Sequence, residues 1–192
     1  MIKKLLLAVA LLPALVGFNA QAAEKYVIDT KGMHAFITFR VKHLGFSWLQ
    51  GRFNDFSGDF VYNADDPSKN KVNVDIDVTS LDSNHAERDK HLKDPRFFDV
   101  DKFPKAKFVS TGWQDLGGDK AKMSGRFTLR GVTKNVELDV THTGAGKDPW
   151  GGYRRGFEAS TTLKLADYNM KEGAMLGIDD IEVWISVEGI RQ

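Results

Sequence analysis

Hydrophobic and polar positions alternate with a period of two along most of this chain. Ala35, Ile37, Phe39 and Val41 share one face, with Phe36, Thr38, Arg40 and Lys42 between them, the mark of a half-buried strand. His43-Leu44-Gly45-Phe46-Ser47 interrupts the pattern. Leu49, Gly51 and Phe53 resume it, and then the phase slips at Asn54-Asp55, so that Phe56, Gly58, Phe60 and Tyr62 take over. A slip of one residue inside a strand pattern predicts a β-bulge, which lets a strand bend round a barrel. The clearest alternation follows the turn at Asp65-Asp66-Pro67-Ser68: Val72, Val74, Ile76 and Val78 oppose Lys71, Asn73, Asp75, Asp77 and Thr79.

Later stretches repeat the design. Ala106, Phe108 and Ser110 lead to a turn at Gly117-Gly118-Asp119, after which Met123, Gly125, Phe127 and Leu129 oppose Lys122, Ser124, Arg126 and Arg130. Val136, Leu138 and Val140 come next, then a turn at Asp148-Pro149-Trp150-Gly151-Gly152. Phe157, Ala159, Thr161, Leu163 and Leu165 form another row, and Val183, Ile185 and Val187 close the chain. Long strands joined by short turns predict an all-β fold: an up-and-down antiparallel barrel of about eight strands.

Leu81 to Pro104 breaks the alternation. Asn84 followed by Glu87 is a helix-start pattern, in which the Asn side chain accepts from a free backbone N–H and the Glu reaches back. Glu87 with His91 and Asp89 with Lys93 stand at i,i+4, acid first. Asp94-Pro95 stops the helix. The spacing therefore predicts one short helix over about 84–93, nearly without an apolar stripe. Such a helix belongs across an end of the barrel, anchored by Phe97-Phe98 and Phe103-Pro104.

Composition narrows the class. Residues 1–22 read as a secretory signal: Lys3 and Lys4, an apolar run from Leu5 to Val16, then Ala20-Gln21-Ala22. The run is too short for a membrane span. Cleavage after Ala22 would leave residues 23–192 as one domain, exported to the periplasm. The chain holds 27 Lys+Arg against 26 Asp+Glu; without Lys3 and Lys4 the balance is near zero, which argues against a nucleic-acid partner. No cysteine is present, so neither disulfides nor thiolate metal sites are available.

The function turns on what fills the barrel. The inward set mixes large rings (Phe39, Phe53, Phe56, Phe60, Phe108, Phe127, Phe157) with small residues (Ala35, Gly51, Gly58, Gly125, Ala159). Two readings stand at this point: a packed core of interdigitated large and small side chains, or an apolar tube in which the small residues mark where a ligand chain passes.

Several motifs bear on the choice. His34-Ala35-Phe36, Val41-Lys42-His43-Leu44-Gly45-Phe46-Ser47, Phe53-Asn54-Asp55-Phe56-Ser57-Gly58 and all of Ser80–Asp94 carry a resemblance, with Asn84-His85-Ala86-Glu87-Arg88-Asp89-Lys90-His91-Leu92 its most specific run. Phe108-Val109-Ser110-Thr111, Leu129-Arg130-Gly131-Val132-Thr133-Lys134 and Gly156-Phe157-Glu158-Ala159 extend it over nearly all of residues 23–192. The sequence resembles the YceI family of bacterial periplasmic proteins. That resemblance implies a lipocalin-like extended antiparallel barrel holding a long-chain polyisoprenoid or similar amphiphile, an isoprenoid quinone-like lipid included. It implies no catalytic residues and no catalytic cofactor.

On this reading Ala35, Ile37, Phe39, Val41, Phe53 and Phe56 line the ligand, together with Phe60, Val74, Ile76, Phe108, Phe127, Phe157 and Leu163. Each buried CH₂ contributes about 0.8 kcal/mol, so an isoprenoid chain needs few polar contacts. One or two polar groups suffice to orient its head. The candidates are His43, in the break between the first long strands, and His85, Arg88 and Asp89 on the helix. The expected partner is thus a hydrophobic lipid, with at most transient membrane contact; oligomeric state is not legible.

Three alternatives compete. A hydrolase or metal-dependent enzyme would use the His85/Asp89 pair at i,i+4, which lacks a third ligand, while His85 and His91 point apart. Gly45-Phe46-Ser47-Trp48-Leu49 lacks the second glycine of a nucleophile elbow. A packed structural or stress-response barrel would hold no ligand. An outer-membrane barrel would exchange inside and outside, but the sequence lacks aromatic girdles and a terminal aromatic, and a mid-chain helix has no place among short turns.

Overall fold

The computed structural model describes residues 23–175 and 177–192, so the signal segment expected at 1–22 lies outside the described residues. In chain order the strands are β1 (Glu24–Ile28), β2 (Ala35–His43), β3 (Ser47–Phe53), β4 (Phe56–Tyr62), β5 (Lys71–Asp77), β6 (Leu81–Asp82), β7 (Lys105–Gly117), β8 (Lys120–Leu129), β9 (Val132–Lys147), β10 (Tyr153–Lys164) and β11 (Asp180–Arg191). The helices are α1 (Ala86–Lys93) and α2 (Lys171–Met175), with 3-10 turns at Pro67–Lys69, Val78–Ser80 and Leu165–Tyr168.

All neighbouring strands pair antiparallel, and the sheet closes on itself. β11 pairs with β2 from Glu182↔Arg40 to Val187↔Ala35, and further along with β1 at Gly189↔Ile28. β1 and β2 thus form one broken stave. β3 and β4 form the next, pairing with β2 and β1 respectively. Counting each as one gives a closed eight-strand barrel, β5 and β7 to β11 supplying the rest.

The phase slip at Asn54-Asp55 is a full break between strands rather than a bulge within one. The reason lies in the segment wedged there: Asn54 N–H donates to the Ser80 carbonyl (3.3 Å), Asp55 N–H to Ser80 Oγ (2.9 Å), and Asp77 N–H to the Asp55 carbonyl (2.9 Å). β3 then turns to β6 while β4 turns to β5. True register shifts occur elsewhere, at Ser110/Gly112 on β7 and Gly156/Phe157 on β10.

The helix starts later than its sequence pattern predicts. Asp82 Oδ1 accepts the Asn84 N–H (2.8 Å), which holds Asn84 left-handed at φ 63°, a conformation Asn tolerates better than most residues. His85 is therefore the N-cap, and α1 runs only from Ala86 to Lys93. Asp89 turns to Ser83 rather than to Lys93. The stop at Asp94-Pro95 stands where the sequence puts it, and of the expected anchors Phe97 and Phe98 are buried, whereas Phe103 is half-buried and Pro104 exposed.

Inside and outside are sharply divided. The inward rows form an apolar core in which Tyr26 stacks on Phe60 with centroids 4.7 Å apart. Outward rows carry cross-strand ion pairs such as Lys107–Asp75 (3.1 Å) and Lys122 with Glu137 (2.7 Å) and Asp139 (2.9 Å). Each exposed pair adds little stability, but a charged outer wall around an apolar interior is the reverse of a membrane barrel. Among the described residues no helix is long and apolar enough to cross a membrane.

Candidate functional site

A cavity of about 150 Å³ runs inside the barrel. Period-2 alternation builds its wall: Met123, Phe127 and Leu129 from β8, Phe157, Ala159 and Leu163 from β10, and Ile181, Val183, Ile185 and Val187 from β11 all point inward. Six residues of strand span roughly 20 Å, so the lining follows much of the barrel's length. Among the described residues no charged side chain lines the cavity. Its few polar groups are mostly occupied: Asn70 accepts the Asn63 N–H (2.7 Å), and Thr161 Oγ1 donates to the Glu137 carbonyl (2.8 Å).

All the wall residues expected from the sequence face this cavity except Ala35 and Val41. Ala35 is buried in the cluster of Tyr26, Ile28 and Phe60, and Val41 is partly buried near the end of β2. Gly51 and Gly125 have a different role from the one the tube reading gives them. A methyl group at Gly51 would collide with the ring of Phe39, at Gly125 with Phe108, and at Gly189 with Phe60. The rings of Phe39 and Phe108, from the strands paired with Gly51 and Gly125, and of Phe60, across β1 from Gly189, occupy those gaps, so these glycines seat wall aromatics instead of passing a chain.

One end of the barrel is closed by a polar plug that the sequence reading missed. Arg155 extends the inward row of β10 two residues before Phe157, and its side chain is only 11% exposed. Its Nε donates to the Tyr26 hydroxyl (3.2 Å), its other nitrogens reach His142 Nε2 (3.2 Å) and Glu24 Oε2 (3.3 Å), and its guanidinium stacks 4.0 Å over Tyr62. Burial pushes the Glu24 carboxyl up, but hydrogen bonds from Tyr26, Arg191 and Arg155 outweigh it and leave the group below its usual range. Each charge here is matched within the plug.

The other end is covered by α1 and the 3-10 turn Leu165–Tyr168. Phe98 meets Phe53 edge-on at 5.9 Å, and Arg130 ties the covering segments together by donating to the carbonyls of Pro95 and Asn169. Tyr168 lines the cavity at this end, 2% exposed, and its hydroxyl has no hydrogen-bond partner. Burial, helped by Asp167, pushes that phenol up to about 12.

None of the four head-group candidates lines the cavity. His43 is exposed at the β2–β3 turn. His85 Nδ1 accepts the Arg88 N–H (3.2 Å), capping α1. Arg88 Nε donates to Ser83 Oγ (2.8 Å), and Asp89 accepts the Ser83 N–H (2.8 Å) and hydroxyl. These three side chains fold the loop before the helix. His85 Nδ1 and Asp89 Oδ1 are thus committed to local bonds. Among the described residues one cluster has metal-like spacing, Asp29, His34 and Glu188. The Arg154 guanidinium already supplies its cation, 2.6 Å from Asp29 and 3.0 Å from Glu188.

Comparison with known proteins agrees with this architecture. The model of the YceI-like domain matches residues 26–189. A UPF0312 protein of Pseudomonas paraeruginosa is 51% identical over 192 residues, all of both chains. The crystal structure of a Campylobacter jejuni YceI protein superposes with a TM-score of 0.71 at 29% identity, covering 79% of this chain and 90% of that one. A polyisoprenoid-binding domain from Saccharophagus degradans shares the fold, with a TM-score of 0.62 at 15% identity over 87% of this chain and 98% of its own.

Proposed function

The chain belongs to the YceI-like domain family, and on that premise we propose that it is an exported binding protein that holds a long-chain polyisoprenoid or similar amphiphilic lipid inside its barrel. The observation that carries this reading is the uncharged cavity bounded by aromatic and aliphatic side chains and closed at each end by a separate set of contacts. An apolar chain threaded there gains about 0.8 kcal/mol for each methylene removed from water, and with no buried charge in the wall it pays no desolvation penalty. The polyisoprenoid named for the Saccharophagus domain, which shares this fold, is the ligand class adopted here. Binding and sequestration, not catalysis, suit a cavity whose lining, among the described residues, carries hydroxyls only on Tyr62, Thr161 and Tyr168 and no carboxylate, histidine or lysine.

Export is part of the same proposal and rests on Lys3, Lys4, the Leu5–Val16 run and Ala20-Gln21-Ala22. Two measurements test the whole. Intact mass of protein recovered by osmotic shock should correspond to a chain starting at Ala23. Solvent extraction of that protein, followed by mass spectrometry, should yield an isoprenoid lipid in near-stoichiometric amount. A lipid-free protein whose melting temperature ignores added isoprenoids would return the barrel to a packed structural role.

A further inference from the structure

We infer that the tip of the β2–β3 hairpin is a membrane-docking surface: Leu44 and Phe46 enter the acyl layer of a bilayer, and Lys42 and Trp48 rest at its headgroup level. Docking needs no ligand in the barrel, so it goes beyond the lipid-binding reading and can fail separately from it.

The turn is built against its own local preferences. The His43 carbonyl closes it by accepting the Phe46 N–H (2.9 Å), and both central residues are left-handed, Leu44 at φ 50° and Gly45 at φ 80°. Such positions favour Gly, Asn or Asp, and a bulky side chain there is strained. Two other hairpin turns obey or use the rule. Gly117 and Gly118 fill these positions between β7 and β8, and Arg130, left-handed between β8 and β9, reaches the carbonyls of Pro95 and Asn169. Leu44 has no polar atom to bond and is exposed. Phe46, two residues on, is 86% exposed, the highest value for a large apolar side chain among the described residues. A methyl group on Gly45 would meet nothing within 4 Å, so the tip is free of neighbours. Strain that no contact within the chain offsets points to a contact outside it.

Behind the tip the side chains are layered as a bilayer interface requires. Lys42 and Trp48 are direct cross-strand partners, with the ammonium 5.0 Å from the indole centroid. One step further back, Arg40 is stacked between Trp48 and Trp184, 4.1 Å from each ring centroid, and is pinned by Glu182 at 2.7 Å. Apolar tip, then Trp and Lys, then a charged wall is the order met from acyl chains to water. The lysine stem lies along apolar surface while its ammonium reaches the phosphates. Met33 and Trp150, exposed at the opposite end, stand on separate loops and form no such series. Asp179, Asp180 and Glu182 share the groove beside Lys42 and Trp48. The base of the hairpin therefore has no excess of positive charge, and the apolar tip, not anionic lipid, supplies the attachment. A second copy of the chain is a poorer occupant. Leu44, Phe46 and Trp48, part-exposed, offer roughly 400 Å² between them, half of the about 800 Å² per partner that a specific protein interface buries. Val41, the last inward residue of β2, packs against the cluster that holds Phe98 and Tyr168, so the tip projects past the barrel at its α1 end.

The test uses the full mature protein stripped of lipid, as wild type and as the Leu44→Asn/Phe46→Ser double variant. Each is sedimented with vesicles of phosphatidylcholine alone and of phosphatidylcholine with phosphatidylglycerol. The wild type should partition onto both, within about threefold of each other, and the double variant should lose roughly tenfold or more on both. Leu44→Asn alone should lose part of the partitioning and keep or raise the apo melting temperature, because asparagine tolerates the left-handed turn. Geranylgeranylacetone, an isoprenoid ketone, should bind wild type and double variant alike in solution. A wild type that stays in the supernatant, or a double variant that partitions equally, overturns the docking assignment and leaves the lipid-binding reading intact. Partitioning confined to the anionic vesicles and abolished by salt is plain charge attraction and overturns it too. A wild-type dimer in gel filtration that the double variant lacks gives the tip to a second copy instead. Vesicle binding by a wild type that takes up no isoprenoid keeps the docking surface and removes the lipid-binding reading.

Discussion

The ring of Phe39 lies across Gly51, its direct partner on the neighbouring strand, and fills the space that a side chain there would take. Gly51 has ordinary strand backbone, so alanine at this position brings no conformational strain of its own; the collision is with the ring. Gly51→Ala should therefore lower stability by about 1–3 kcal/mol, the range of overpacked cores, although a glycine inside a strand is normally a weak point. Because Phe39 also lines the cavity, the displaced ring has that space to move into. Lipid affinity should fall along with the urea midpoint. Unchanged stability and affinity in G51A would mean that the ring does not depend on the glycine.

A second prediction concerns acid. Asp29, buried at the mouth of β1, is held down to about 2, from an ordinary 3.8, chiefly by its hydrogen bonds from His34 and Arg154. Asp77 is held equally low by Lys105 and Thr79. Both carboxyls are more acidic folded than unfolded, so their contribution to stability is fully present above about pH 4. It is lost as pH falls from there toward about 2. For Asp29 the gap is worth about 2 kcal/mol at most, and less after solvent screening. Urea midpoints of wild type and Asp29→Asn should differ at pH 7 and converge as pH approaches 2. A constant difference across that range would contradict the assignment.

How far the sequence carries a reader differs between wall and ends. Alternation such as Phe157, Ala159, Leu163 is local, so the strands, their inward faces and most wall residues are legible from spacing alone. Arg155 continues that same row two positions earlier, yet beside Arg154 and the Trp150-Gly151-Gly152 turn it reads as a solvated flank. Its burial depends on Tyr26, Tyr62 and His142 arriving from strands far away in sequence. His85, Arg88 and Asp89 err in the opposite direction. They stand out as polar residues on a lone helix, but a serine two residues before the cap binds two of them, and no periodicity reveals that. The turn at Asp82 that pushes Asn84 left-handed is equally invisible to a capping-box pattern.

The last prediction concerns Phe127. It projects inward from β8 opposite Phe108, lines the cavity and supports the edge of Tyr168. Replacing a fully packed phenylalanine by alanine typically lowers stability by about 3–5 kcal/mol. Here the ring is only partly buried and one side borders open space, so fewer contacts are lost. Phe127→Ala should therefore destabilise the lipid-free protein by no more than about 3 kcal/mol. The bound state has more to lose, because the ring forms ligand wall. A ligand that binds only the folded state stabilises it in proportion to the logarithm of its concentration over Kd. The rise in melting temperature that an added isoprenoid such as geranylgeranylacetone produces should consequently shrink by more than half in F127A. If the apo protein loses the full packed-core amount and the lipid increment is untouched, Phe127 belongs to a solid core and the cavity at its face is not where the chain lies.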